Sequence, residues 1–154
     1  MTPIFQHVIA LLGRVLLSLI FLLSGAHHIV DWAGTVAHMR SKGVALEHLL
    51  GANGGTFFVH LMLALAIIFL LAGGLSVLLG FRARWGAVSL LLFLAPTTLI
   101  FHNFWSPGVA DAQAQMIHFM KNLGLAGGLL MVLAFGSGGF SVDTFLPQLP
   151  RQGR

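Results

Sequence analysis

The sequence predicts an all-α integral membrane four-helix bundle, with short interfacial helices between the first and second spans. Three observations carry this prediction. Of 154 residues 57% are hydrophobic and only 8% are charged, where an ordinary soluble domain has about a quarter charged residues. The mean hydropathy is +0.93. Four apolar runs, at about 5–26, 57–79, 85–104 and 115–135, approach or exceed the roughly 18 to 20 residues that cross a bilayer as a helix. The chain therefore reads as a single membrane domain over 1–154, with most of its apolar surface against the lipid bilayer.

The first span carries Arg14, Ser18, Phe21, Gly25 and His28 at spacings of three and four, so they share one face, expected to look inward. Only Thr2 and Gln6 are polar ahead of it and no positively charged leader precedes it, which predicts a retained span rather than a cleaved signal peptide. Arg14 is a structural polar residue near mid-span, and no span contains Asp or Glu to pair with it. An unpaired charge there costs roughly 2.5 to 3.5 kcal/mol. The expected partner is the Leu92 carbonyl, which Pro96 deprives of its helical amide, with Ser18 or Ser89 assisting. The alternative is that Arg14 snorkels to the headgroups.

The segment 27–56 is expected at the interface. Asp31 can cap a short helix through Met39, with Trp32, Val36 and Met39 on one side and Gly43 as its stop. Val44 to Leu50 reads as a second short segment ending at Gly51, and Asn53-Gly54-Gly55 as a flexible turn into the bilayer. In the second span, Ala72, Ser76 and Gly80 predict a small-residue stripe for close helix approach. Gly80 to Arg84 is a tight hairpin, which makes the second and third spans antiparallel neighbours. Pro96 interrupts the third span, Gly124 and Gly128 form a small-residue pair in the fourth, and Gly136 to Gly139 ends it before the tail, 136–154.

The positive-inside rule sets the hairpin and tail, with Arg82, Arg84, Arg151 and Arg154, against Arg40, Lys42 and Lys121. Both termini and the tail are expected in the cytoplasm. The net charge of +4 does not point to nucleic acid, because the basic residues are scattered and form no stripe. The absence of cysteine excludes thiol–disulfide exchange, thiolate metal sites and cysteine-ligated iron–sulfur clusters.

Polar residues concentrate between Phe101 and Asn122. His102, Asn103, Gln115, His118, Lys121 and Asn122 fall there between two apolar runs, and polar groups at membrane depth are expensive and functional by default. They are the candidate ligand-binding residues, suited to a carbonyl-bearing or anionic headgroup. The topology brings His28, His60, His102 and His118 to one level, which raises a metal or haem site as a further candidate. The other readings of these residues are a metal-free hydrogen-bonded cluster, interfacial aromatic anchors at Phe104 and Trp105, and a snorkelling Lys121.

The segments GRVLLSLIFLLSGAHHIVDWAGTVAHMRSKGV, GGLSVLLGFRAR, LIFHNFW, HFMKNLGLAGGLLM and GSGGFSVD together resemble the DoxX family of small four-span membrane proteins, over nearly the whole chain and in order. The resemblance implies a multi-pass protein of the bacterial inner membrane. The family's name comes from the membrane subunit of a thiosulfate:quinone oxidoreductase, and other members are associated with oxidoreductase complexes, oxidative stress or quinone and catechol resistance. By this resemblance the family's membrane arginine corresponds to Arg14, its aromatic motif to His102, Asn103 and Phe104, and its lysine–asparagine pair to Lys121 and Asn122. The chain departs from it at His28, where members often carry lysine, and at Leu70, where many carry glutamate.

Three functions follow as expectations. The first is a redox-associated subunit or small quinone-interacting protein, with His102, His118 and Lys121 donating to the ligand's carbonyls and with a membrane or periplasmic oxidoreductase partner. The second is a non-enzymatic membrane scaffold that docks a partner on 27–56. The third is a metal- or haem-binding bundle. Transport would require a homo-oligomer, since four spans leave little room for a pathway.

Overall fold

The computed structural model describes residues 3–106 and 111–146. Arg151 and Arg154, counted above for orientation, lie outside the described residues. The elements run α1 Pro3–Val30, α2 Trp32–Ser41, α3 Glu47–Leu79, α4 Ala83–Phe101, α5 Ala112–Phe135 and the short α6 Val142–Phe145. α1, α3, α4 and α5 are each long and apolar enough to cross a membrane. They form a four-helix bundle in which α3 packs against α1 and α4, and α5 packs mainly on α4. The α1–α5 pairing is sparse, with Leu17 lying over Gly128. The molecule is thus a row of helices curled into a bundle and loosely shut along one seam.

The inward face of α1 is Arg14, Ser18, Phe21 and Gly25, all buried. Phe21, Leu70, Val77, Ala87, Leu90, Leu94 and Leu129 form the central core. A second cluster of Val36, Met39, Ala45, Val59, Leu63 and Ile67 seats α2 on α3. Asp31 caps α2, its side chain accepting from the Gly34 amide at 3.2 Å, and Gly43 follows with φ of 75°, so both ends of that helix match their sequence signals.

The second interfacial segment is a short helical turn, Glu47 to Leu50, which ends as expected at Gly51 (φ 70°, ψ 171°), the kink that separates it from the long part of α3. Asn53-Gly54-Gly55 is helical rather than a turn. Gly51 takes up the change of direction, and Gly55 serves close packing, because a Cβ there would lie 2.8 Å from the Ala45 carbonyl oxygen. Arg40 ties α2 to this start of α3 by donating to the Thr56 hydroxyl at 2.6 Å.

The small-residue contact of α3 keeps Ser76 but not Ala72. Ala72 is exposed, and the crossing of α3 with α4 is made by Gly73, where a Cβ would stand 3.1 Å from the Gly86 oxygen. Gly74 gives the same close approach to Leu22 of α1. Ser76 does lie in the α3–α4 crossing, its Cβ 2.7 Å from where a Cβ on Gly86 would stand, and its hydroxyl donates to the Phe81 carbonyl at 2.7 Å, while Gly80 ends α3 in the left-handed region. On α5, Gly128 meets Leu17, whereas Gly124 has no neighbour within 4 Å of a Cβ position.

The expected partner of Arg14 is overturned. α4 continues through Pro96, and the buried Arg14 guanidinium lies level with the α3–α4 hairpin, against Gly80 and Ser141, where its Nη2 donates to the Phe140 carbonyl. The carbonyl comes from the polypeptide beyond α5, folded back across the end of the bundle. His7 accepts from the Gly139 amide at 3.2 Å. The Asp143 amide donates to the Gly80 carbonyl at 3.2 Å, and its carboxylate accepts from the Arg82 amide at 2.9 and 3.1 Å. Residues 139–143 are therefore a strap joining α1 to the hairpin. α1 is about 42 Å long at 1.5 Å per residue, longer than the roughly 30 Å hydrocarbon core, so Arg14 can sit at the bundle's end rather than mid-bilayer.

Candidate functional site

At the opposite end, beneath α2, the four spans diverge around a cavity of about 350 Å³. Its floor is apolar, formed by Phe21, Leu63, Leu70, Phe93 and Leu94, and its mouth is polar. α1 supplies Ser24 and His28 there, α2 supplies Thr35 and His38, and Thr97, His102 and Asn122 complete the rim. An apolar pocket with a few convergent polar groups is the usual form of a small-molecule site.

The rim is held by hydrogen bonds between elements. His28 Nε2 lies 3.4 Å from Ser24 Oγ, one turn back on α1, and its Nδ1 lies 3.3 Å from Thr35 Oγ1 on α2. The Thr35 hydroxyl donates its proton to the Asp31 carbonyl at 2.8 Å, so it accepts from His28 Nδ1 and the Ser24 hydroxyl donates to Nε2. The His38 ring packs on Phe101 with centroids 5.2 Å apart, which brings α2 over the end of α4.

His102 Nδ1 is 2.9 Å from Gln115 Oε1. An amide oxygen only accepts, so Nδ1 carries the proton and Nε2 of the neutral ring is an acceptor. The ring stacks on His118, centroids 5.2 Å apart at 22°. Asn122 Nδ2 donates to Thr98 Oγ1 at 3.0 Å, and Thr98 donates to the Leu94 carbonyl at 2.7 Å. This relay fixes the amide and leaves Asn122 Oδ1 as an acceptor.

Of the residues singled out by sequence, His28, His102 and Asn122 line the cavity. Gln115 and His118 stand behind His102 and orient it, and His118 is itself exposed. Asn103 bonds Ser106 Oγ at 3.0 Å in the turn after α4. Lys121 is exposed and is not a lining residue. His60 is engaged elsewhere: Trp32 Nε1 donates to its Nδ1 at 2.9 Å and the two rings stack. His28, His60, His102 and His118 are thus not gathered as a ligand set, and among the described residues no three His, Asp or Glu side chains are grouped to hold a metal ion.

Ser24, Thr35, His38 and Thr97 were not picked out by sequence reasoning. A signal existed on α2, where Thr35 and His38 stand three apart beside Met39, but the apolar side of that helix drew the reading toward the interface. The loose α1–α5 seam described above flanks the same cavity, which takes lining from Ile20 and Ser24 on one helix and Asn122 and Leu125 on the other.

The chain is 31% identical over 141 residues to inner membrane protein YqjF of Escherichia coli (strain K12), covering 92% of this chain and 94% of the relative. It is 27% identical over 138 residues to inner membrane protein YphA of the same organism, covering 90% of each. No solved structure matches it. The DoxX family model matches residues 9–103, a stretch that holds α1 to α4, Arg14, His28 and His102; this four-span membrane protein belongs to the DoxX family.

Proposed function

We propose that this protein binds a lipid-soluble quinone or its hydroquinone in the cavity under α2, as a redox-associated subunit. The observation that carries the reading is the pairing of an apolar floor with a rim of hydrogen-bonding groups fixed by neighbouring helices. A hydroquinone hydroxyl can donate to His102 Nε2 or Asn122 Oδ1, while the hydroxyl of Thr97 and the imidazole of His38 meet the opposite edge of the ring, with His28 held by Ser24 and Thr35 behind them. His102 is the group placed to take a proton from the bound hydroquinone, with Gln115 holding the accepting tautomer. His118 and Lys121, the expected direct donors, act on this reading from outside the cavity. The chain has no cysteine and brings no thiol couple, so electrons pass to or from an oxidoreductase partner.

The same proposal places the protein in the inner membrane, as the names of YqjF and YphA say of those relatives. Both termini are on the cytoplasmic side and the cavity mouth on the outer side on this reading, because Arg82, Arg84, Arg151 and Arg154 outnumber Arg40, Lys42 and Lys121. A reporter fused after the last residue and active only when exported should stay silent.

Binding is tested with the purified full chain in nanodiscs and a short-chain hydroquinone analogue. His102→Leu and Asn122→Leu each remove a neutral hydrogen bond of about 1 kcal/mol, a loss of about fivefold in affinity. Wild-type protein that takes up no analogue, or variants that bind as wild type does, refute the reading.

A further inference from the structure

The strap at the hairpin end leaves a second cavity, distant from the first. It has a volume of about 640 Å³ and is lined by Arg82, Arg84 and Trp85 at the start of α4, by Ser137 at the end of α5, and by Asp143 and Thr144 of the strap. Two arginines, two hydroxyls and several backbone groups make its wall polar, in a protein whose outer surface is otherwise mainly apolar. The single acid, Asp143, is turned to the fold. Both its oxygens accept from the Arg82 amide, which holds Arg82 in a left-handed conformation (φ 48°) that costs a non-glycine residue about 1 kcal/mol. Arg84 reaches across to donate to the Ala134 carbonyl at 3.3 Å, so its guanidinium is fixed over the gap between α4 and α5. The Arg82 guanidinium lies beside the Phe81 ring, 5.7 Å from its centroid. The two cations against one engaged carboxylate leave a net charge of +1, with the buried Arg14 behind the strap adding to the positive field.

The cavity also borders apolar surface of the kind that meets lipid. Trp85 is 73% exposed and Phe135 is 75% exposed, and both line it. Trp is enriched where acyl chains give way to headgroups, and basic pockets between spans are the form in which anionic headgroups are held. We propose that this cavity is a binding site for the phosphate headgroup of an anionic membrane lipid, with Arg84 and Arg82 pairing to the phosphate, Ser137 donating to its oxygens, and the acyl chains running along Trp85 and Phe135.

The test uses the full chain, stripped of lipid in neutral detergent and returned to nanodiscs of phosphatidylcholine with or without phosphatidylglycerol. Native mass spectrometry reads which lipid stays bound when the discs are dissolved. Wild type is expected to retain phosphatidylglycerol about twenty-fivefold over phosphatidylcholine, the product of roughly fivefold from each basic side chain near an anionic group. Arg82→Gln/Arg84→Gln should abolish the preference. Arg82→Gln alone leaves the Arg84–Ala134 bridge intact and should lower the preference about fivefold, so the proposal stays testable even where the double variant does not fold. Arg40→Gln/Lys42→Gln, which removes the same charge at the other end, should leave retention unchanged. Equal retention of both lipids by wild type, an equal loss in the Arg40 and Lys42 variant, or occupancy by inorganic phosphate in discs lacking phosphatidylglycerol would each overturn a lipid site here.

Discussion

Gly80→Ala tests the strap at its most crowded point. Gly80 has φ of 67°, and a Cβ there would overlap the Arg14 guanidinium and come within 2.5 Å of Ser141 Cβ. A left-handed alanine costs about 1 kcal/mol on its own. The added methyl also pushes Arg14 off the Phe140 carbonyl, and losing a buried hydrogen bond from a charged donor costs about 1.5 to 3 kcal/mol. The sum is about 2.5 to 4 kcal/mol. Gly43→Ala is the matched control, because Gly43 has φ of 75° and nothing within 4 Å; it should lose only the backbone part, about 1 kcal/mol. The assay is denaturant unfolding of the full chain in mild detergent, followed by far-UV circular dichroism. If the two variants lose equal stability, Arg14 is not seated against Gly80 and the strap is misplaced. The hydroquinone analogue should bind folded Gly80→Ala with wild-type affinity, since the cavity under α2 lies at the far end.

Three further outcomes follow from the same geometry. Trp32→Phe keeps the ring against His60 but deletes the 2.9 Å bond from Nε1, so it should cost about 0.5 to 1.5 kcal/mol in the same unfolding measurement. Asp143→Asn removes the charge that grips the Arg82 amide through both oxygens; a loss of about 1 to 2 kcal/mol is expected, and faster proteolysis of the C-terminal segment reports release of the strap. Lys121→Ala should change neither stability beyond about 0.5 kcal/mol nor analogue affinity, because the side chain is exposed outside the cavity. A tenfold fall in affinity would instead mean that α5 presents a different face.

The spans were legible because lipid demands length and apolarity together, a signal that no local packing detail can disguise. Arg14, Ser18, Phe21 and Gly25 all proved buried, since helical periodicity alone puts them on one face. Asp31, Gly43 and Gly80 did what local backbone chemistry requires of them. The partner of Arg14 was not legible, because the Phe140 carbonyl is 126 residues away and nothing local announces that a tail will fold back. The glycines of α3 misled for a related reason. Gly54 and Gly55 look like a turn, and Ala72 looks like a member of the contact stripe that Ser76 does form against Gly86, until tertiary packing shows which helix face meets a neighbour.

Less than half of the cavity's polar rim could be read. His28, His102 and Asn122 were found as polar residues near the span ends, while Lys121, one position from Asn122, is turned to the outside by the rotation of α5 on α4. That rotation is a property of packing, invisible to spacing counts that accept three and four alike. His60 was drawn away by Trp32, a contact between the interfacial helix and α3 that only the docking of α2 creates.

The strap also imposes an order on biogenesis. Arg14 enters the membrane with α1, yet the carbonyl to which its Nη2 donates belongs to Phe140, after α5. Throughout synthesis of α3, α4 and α5 the guanidinium must borrow water or headgroup oxygens, and the hairpin end cannot close until the ribosome is past that position. A nascent chain halted at the end of α5 would hold four spans and still lack the carbonyl that Arg14 Nη2 donates to, so closure of the hairpin end waits on the strap rather than on α5.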